Sequence, residues 1–182
     1  HSFPTRRSSD LEDDVKEVAT ILHKNYKAKV DAGKIVTFMG HGNPEGWNYG
    51  NGNSRYTMLE EELQKTYSSN YFVATVDMED NYVDNMISRM QAAGKASGDV
   101  ICHPLMSIAG DHANNDMKGG VSENDPEEGS WRYELNKAGY TCPLSNCDIK
   151  GLADYSEIVN VWISHMSAAL QSEPMYDPDA EE

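Results

Sequence analysis

The sequence has no long hydrophobic run. Its apolar runs are short and are interrupted by polar or charged residues, whereas a membrane-spanning helix needs roughly 20 consecutive, mostly apolar residues. The first residues also lack the apolar segment of a secretory signal peptide. These absences exclude a transmembrane helix from the sequence and predict no membrane partner.

Basic residues are scarce. The 182-residue chain has 15 Lys and Arg against 30 Asp and Glu, which gives a formal net charge of -15. A general nucleic-acid binder needs a basic face, and a protein that attaches to an anionic membrane surface needs a basic patch. The composition therefore predicts no nucleic-acid partner, and the negative field favours a cation as ligand.

Cysteine is also rare, with three residues in the chain. Three are too few for a disulfide scaffold, and an odd number leaves one unpaired. A reducing compartment fits this usage, so we expect a cytoplasmic location. A periplasmic location stays open. Residues 1–10 resemble a translated sequencing adapter, and we interpret them as a non-native leader. We therefore expect the true N-terminus, where a signal peptide would lie, to be missing. Residues 173–182 form an acidic, proline-bearing segment that we interpret as a solvated tail.

Between these ends, segments with helical spacing of apolar residues alternate with short runs rich in β-branched and aromatic residues. Such alternation is typical of βαβ units, which build a parallel sheet with helices packed on it. We therefore predict a single α/β domain over residues 11–172, with a three-layer, parallel-sheet architecture. The predicted strands are 35–39, 71–76, 99–105 and a fourth around 147–150, and the last two predicted helices are 130–138 and 156–171.

A long acidic loop at residues 119–129 interrupts this alternation. It contains no apolar anchor beyond Val121. Long loops without secondary structure are uncommon in compact domains and are often functional lids. The pattern therefore predicts a lid-like role for this loop.

Each of the first three predicted strands is followed by a side chain that can bind a metal or carry a proton. His41 follows the first strand, Asp77 the second and His112 the third, at intervals of 36 and 35 residues. Because parallel strands end at the same sheet edge, where α/β proteins bind ligands, we expect these side chains to converge. Two imidazoles and a carboxylate suit a divalent transition metal. The flanking Gly40 and Gly42 would let the backbone approach a ligand closely.

Several motifs resemble the anaerobic cobalt chelatase (sirohydrochlorin cobaltochelatase) family. The first is Phe-Met-Gly-His-Gly at residues 38–42, and the most specific is Pro-Leu-Met-Ser-Ile-Ala-Gly-Asp-His-Ala-Asn-Asn-Asp-Met at 104–117. Ser-Trp at 130–131 and Lys-Gly-Leu at 150–152 fall where the family has the same pairs and triplets. The similarity extends from about residue 35 to residue 170.

The resemblance implies an ATP-independent class II chelatase, a lyase that inserts Co²⁺ into sirohydrochlorin on the anaerobic route to cobalamin. The divalent metal is then a substrate, the tetrapyrrole is the partner, and no nucleotide cofactor is expected. Family members have two similar α/β halves that face a tetrapyrrole cleft. This chain corresponds to the C-terminal half, and we expect the first half, one wall of the cleft, to be missing.

The family's metal-handling residues are two His and a Glu, and the two His match His41 and His112. Asp77 stands where the family has Glu, which shortens the carboxylate by one methylene, and Glu79 could substitute for it. We expect both His to be catalytic, with His112 as base and metal ligand and His41 as ligand. Asp77 or Glu79 would neutralise the cation or orient an imidazole.

Other residues have alternative interpretations. His103, which precedes a proline at a strand end, is either a packing residue or a ligand contact. We interpret Cys102 as a core residue because it lies inside a predicted strand. Cys142 and Cys147 could pair as a disulfide or bind a soft metal. The substrate carries many carboxylates, so an acidic protein needs local cations; the candidates are Arg55, Lys118, Arg132 and Lys150.

Two other functions compete with a chelatase. A non-catalytic tetrapyrrole or metal carrier would use the same His pair without turnover. An α/β hydrolase is disfavoured because the sequence has no Gly-x-Ser-x-Gly nucleophile motif. The residues do not discriminate Co²⁺ from Fe²⁺ or Ni²⁺, and they leave a homo-oligomer open.

Overall fold

The computed structural model describes residues 8–47 and 52–171. Residues 1–7 of the expected leader and the expected tail at 173–182 lie outside the described residues. The described helices are α1 (Ser8–Asp31), α2 (Ser54–Thr66), α3 (Val83–Ala92), α4 (Trp131–Lys137) and α5 (Ser156–Gln171), and the strands are β1 (Ile35–Gly40), β2 (Tyr71–Thr75) and β3 (Val100–Pro104). In these two ranges, no helix is both long and apolar enough to cross a membrane.

The three strands form a parallel sheet in the order β2-β1-β3. In the central strand, Phe38 is in register with Val73 on one side and with His103 on the other. Every residue of the three strands is buried, as expected for a parallel sheet that is covered on both faces. This explains why the strands read as nearly continuous apolar runs.

Helices cover both faces of the sheet, which confirms the predicted three-layer α/β fold. On one face, α1, α2 and α5 pack on alternate strand residues such as Val36 and Phe38. On the other face, α3 and α4 pack on Ile35, Met39 and Phe72. The alternation of strand side chains between the two faces follows from the period-two geometry of a strand.

The predicted fourth strand at residues 147–150 is wrong. Cys147 forms a single parallel bridge with Cys102 of β3, and Thr141 forms another with Asp99. Between them, the chain turns through Pro143 and a short 3₁₀ helix, Leu144–Asn146. A proline and a tight turn break the ladder, since proline has no N–H to donate and the turn takes the backbone out of extended geometry.

The acidic loop at residues 119–129 is anchored by Arg132. The guanidinium of this fully buried residue donates hydrogen bonds to the carbonyls of Lys118 (2.7 Å), Ser122 (2.5 Å) and Glu123 (3.3 Å). A buried guanidinium needs such acceptors, because an unpaired charge is costly in the interior. The first half of the loop is therefore tied to α4.

Candidate functional site

The end of β1 positions His41 beside the end of β2. The amide of Asp77 donates to the carbonyl of His41 at 2.8 Å, and the amide of Val76 donates to the same carbonyl at 3.1 Å. These bonds continue the parallel pairing of β1 and β2 past the last ladder residues. The backbone thus brings the side chains of His41 and Asp77 to one point of the sheet edge, where Nδ1 of His41 lies 3.4 Å from Oδ2 of Asp77.

His112 reaches the same edge from the segment that follows β3. The end of β3 is tied to β1, since the amide of Leu105 donates to the carbonyl of Met39 at 2.7 Å. His112 then precedes a single π-helical turn, Ala113–Met117. The His112 and His41 ring centroids are 4.9 Å apart, with an interplanar angle of 89°. The expected convergence of His41, Asp77 and His112 is therefore present in the structure.

Gly151 allows the segment before His112 to take its path. A Cβ at this position would lie 2.4 Å from the carbonyl oxygen of Ser107. The amide of Leu152 donates to the carbonyl of Met106 at 2.7 Å, and the amide of Ala153 donates to that of Ser107 at 3.0 Å. The Lys-Gly-Leu triplet thus clamps the chain that leads to His112, a structural role that the sequence alone did not suggest.

Both imidazoles use Nδ1 for contacts within the protein. Nδ1 of His41 lies 2.8 Å from the carbonyl oxygen of Gly42. Because a carbonyl can only accept, this contact places the proton on Nδ1 and leaves the Nε2 lone pair of neutral His41 for a ligand. Nδ1 of His112 lies 2.5 Å from Oδ2 of Asp116. Nε2 is therefore the nitrogen that each neutral ring can offer to a metal.

Asp116 is the site residue that sequence reasoning missed. It follows His112 by four residues, a spacing that places two side chains on one face of a helix. The signal was therefore present in the Asp-His-Ala-Asn-Asn-Asp stretch at 111–116. The pattern of strand ends does not reveal Asp116, because this residue lies in the helical turn behind His112 and not at the end of a strand.

The site is open to solvent. The side chains of His41, Asp77, His112 and Asp116 are 50%, 41%, 40% and 45% exposed, respectively. Each carboxylate lies on the Nδ1 side of its own imidazole, and within residues 8–47 and 52–171 no three His, Cys, Asp or Glu side chains converge closely enough to hold a metal as they stand. The arrangement offers two neighbouring imidazoles, each with a carboxylate behind it.

The expectation that Gly40 and Gly42 make room for a ligand is not supported, because protein atoms fill both spaces. A Cβ on Gly40 would lie 2.1 Å from the ring of Tyr56, and a Cβ on Gly42 would lie 2.8 Å from the backbone nitrogen of Met78. The Tyr56 hydroxyl also accepts a hydrogen bond from the Gly42 amide at 3.1 Å. The glycines serve the packing around His41.

A cavity of about 310 Å³ lies next to this turn. Tyr56 and Asn43 border it from the side of the site, and the exposed Arg55 lines it as well. Much of the remaining lining is apolar and comes from α1, α2 and the segments after β3: Val15, Val18, Leu59, Leu105 and Leu152. A concave, largely apolar surface with few polar groups is typical of a small-molecule site.

Among the other candidate residues, Glu79 is exposed in the turn after Asp77. Arg132 is buried and bonded to three carbonyls, so its assignment as a cation for substrate is wrong. Lys118 donates to Asn114 at 2.9 Å, while Lys150 is exposed. Of these cations, Arg55 is the one that lines the cavity.

His103 is a core residue. It is fully buried, and its Nε2 lies 2.8 Å from the hydroxyl of Tyr155. Its ring packs edge-on against Tyr26 and Phe38. Burial lowers the pKa of His103 to about 4. This residue therefore belongs to the layer between the sheet and α1 and is distinct from the His41–His112 pair.

The three cysteines are buried free thiols, so Cys142 and Cys147 form no disulfide. Cys102 occupies the core of β3, as predicted, and its sulfur lies 3.8 Å from that of Cys142. Hydrogen bonds with the thiols of Cys142 and Cys147, and after them burial, raise the pKa of Cys102. The thiols therefore belong to the core on the α3 and α4 face of the sheet.

The α/β domain presents two imidazoles side by side at its strand ends, and imidazole is a donor that borderline divalent metals favour. Comparison with protein families agrees: the cobalt chelatase (CbiK) family model matches residues 3–171, and the chain belongs to this family. A curated relative is the sirohydrochlorin cobaltochelatase CbiKC of Nitratidesulfovibrio vulgaris, which is 28% identical over 160 residues. The match covers 87% of this chain and 50% of that relative, so the chain spans about half its length. No solved structure matches the chain.

Proposed function

We propose that this protein inserts a divalent metal, Co²⁺ foremost, into a tetrapyrrole of the sirohydrochlorin class, without a nucleotide cofactor. The observation that carries the proposal is the pairing of His41 and His112, whose ring centroids lie 4.9 Å apart at the carboxyl edge of the sheet. Membership of the cobalt chelatase family supports the reaction class. The name of the curated relative supports sirohydrochlorin as the substrate and Co²⁺ as the metal.

The chemistry requires a base and a transient metal ligand. A free tetrapyrrole loses two pyrrole N–H protons as the metal enters, and a neutral imidazole can accept a proton or bind a transition metal. We assign His41 and His112 as metal ligands through Nε2. As the metal passes to the ring, Nε2 of His112 is released and accepts one of the two pyrrole protons, and the other proton passes to solvent. Asp77 lies 3.4 Å from Nδ1 of His41, whose proton is donated to the carbonyl of Gly42, so we assign its carboxylate to offsetting the charge of the metal.

The cavity beside the site supports the choice of an amphipathic ring substrate. Its apolar lining suits the face of a macrocycle, and Arg55 can pair with a peripheral carboxylate. Because the whole chain is strongly acidic, such a local cation is needed to hold a polycarboxylate. We also propose a cytoplasmic location, since a reducing compartment keeps the buried thiols free.

The proposal is tested by following Co²⁺ insertion into sirohydrochlorin anaerobically, by the absorbance change of the macrocycle, without ATP. We expect slow turnover by the parent chain, because it spans about half the length of the curated relative. We expect a further loss of about 10²–10⁴-fold in H112A because a general base is removed. H41A should also be strongly impaired. H23Q is the matched control, since His23 lies on α1 and contacts Tyr67 and Tyr71.

Two results would contradict the proposal. If H41A and H112A both keep the parental rate, the paired imidazoles do not handle the metal. If the protein binds Co²⁺ or the tetrapyrrole stoichiometrically but never converts them, it is a carrier and not a chelatase. Parallel reactions with Fe²⁺ and Ni²⁺ define the metal preference.

A further inference from the structure

A second carboxylate, Asp116, is bonded to the imidazole of His112 on the side away from Nε2. Its Oδ2 lies 2.5 Å from Nδ1 of His112, closer than Asp77 lies to His41. Both residues lie on the short helical segment at 111–117, one before and one within the π-helical turn. The contact therefore forms within one short segment and does not depend on how that segment packs against the sheet.

The contact determines which ring nitrogen of neutral His112 carries the proton. An ionised carboxylate only accepts, so the proton lies on Nδ1 and the Nε2 lone pair is left for a metal. His41 reaches the same state by another route, because its Nδ1 proton is donated to the carbonyl of Gly42. The two rings are thus set in the same tautomer by two different acceptors.

We propose that Asp116 is a positioning residue for metal handling: it holds His112 in the Nδ1–H tautomer and fixes the ring orientation. The inference rests on the proposed function, in which His112 binds the substrate metal. Carboxylate partners of metal-binding histidines raise ligand basicity, and their loss typically weakens metal affinity 10–100-fold. Asp116 acts through His112 and makes no contact with the metal in this scheme.

The first test is the Co²⁺ affinity of the purified full chain, measured by titration of the Co²⁺ absorption bands. D116A should bind Co²⁺ 10–100-fold more weakly than the parent, and D116N should recover part of the loss because its amide oxygen can still accept from Nδ1–H. The matched control is D111N, because Asp111 lies on the same segment but contacts Asn115. Parental affinity in D116A would overturn the proposal.

The second test uses the metal-free protein, so it does not depend on the proposed function. The ¹⁵N chemical shifts of the His112 ring report which nitrogen is protonated. We expect Nδ1–H in the parent, in D111N and in large part in D116N, and a shift toward Nε2–H in D116A. An unchanged tautomer in D116A would overturn the positioning role. Absence of Co²⁺ binding by the parent would instead contradict the proposed function, and the tautomer would still decide the role of Asp116.

Discussion

Among the histidines that the structure describes, His103 has the environment that differs most from water. Its ring lies among aromatic side chains, and within the described residues its Nδ1 has no hydrogen-bond partner. Burial is the largest cause that lowers its pKa, and the charge of Lys150 adds to it, while Asp148 and Asp154 oppose it. The fold therefore accepts this residue as a neutral imidazole.

We predict that acid destabilises the protein through His103. Its pKa is about 4 in the folded state and about 6.5 in an unfolded chain, so between these values the unfolded state binds more protons. The stability associated with neutral His103 is fully present above about pH 6.5 and declines as the pH falls to about 4, by about 3 kcal/mol. In H103Q, the free energy of unfolding should depend less steeply on pH across this window.

Urea denaturation at a series of pH values from 4 to 7 measures this dependence. The amide of glutamine can still bond to the Tyr155 hydroxyl, so the variant keeps the polar contact of His103 but does not titrate. If the free energy of unfolding of H103Q falls with pH as steeply as that of the parent, another group causes the loss of stability in acid.

The juxtaposition of His41 and Asp77 could be predicted from the sequence because both closely follow neighbouring strands, and parallel strands in one sheet end at the same edge. His112 lies farther from the end of β3, so its position also depends on the hydrogen bonds that Leu152 and Ala153 make to the segment before it. The role of Arg132 could not be predicted, since a guanidinium that faces solvent and one that is buried against three backbone carbonyls look the same in a sequence. The difference lies in the path of a loop, which no local pattern encodes.

At the scale of elements, the turn after β1 depends on Gly42. Its φ of +76° lies in the left-handed region, and an added Cβ would lie 2.8 Å from the backbone nitrogen of Met78. We predict that G42A lowers the free energy of unfolding by about 1–3 kcal/mol, because the residue is strained in addition to the clash. Thermal or urea denaturation measures the loss.

The control for this prediction is G46A. Gly46 lies in the 3₁₀ turn that follows, and a Cβ there would have no atom within 4 Å. This variant should have nearly parental stability. If G42A were as stable as G46A, the turn would have room to relax, and the packing of Met78 against Gly42 would not determine the position of His41.

The core strands and the last two helices were predictable because their residues have local preferences that agree with the structures they form. Runs rich in β-branched and aromatic residues correspond to β1 and β2, and Ser130 caps α4 by accepting from the Tyr133 amide. For the segment at 147–150, these local preferences led to a wrong prediction. Its residues are compatible with a strand, but the turn at Leu144–Asn146 delivers the chain to β3 for one bridge only.

At the scale of the whole molecule, the net negative charge acts in opposite ways on the two proposed substrates, the metal cation and the polycarboxylate tetrapyrrole. A net charge of -15 attracts a divalent cation to the surface. The same field would repel the proposed polycarboxylate tetrapyrrole, so we propose that its apolar faces and local cations such as Arg55 hold it. We therefore propose that the exposed imidazole pair captures the metal while the macrocycle occupies the neighbouring cavity.

In the proposed function, His41 and His112 jointly bind the substrate metal through Nε2. The most direct measurement is the proton NMR spectrum of the chain loaded with high-spin Co²⁺. A metal-bound imidazole that coordinates through Nε2 keeps its Nδ1–H, which gives a strongly shifted, solvent-exchangeable signal.

We predict two such signals in the parent protein and in H23Q, with one lost in H41A and a different one lost in H112A. If the signals are absent from the parent, or if both persist in the two alanine variants, His41 and His112 do not jointly bind the metal through Nε2.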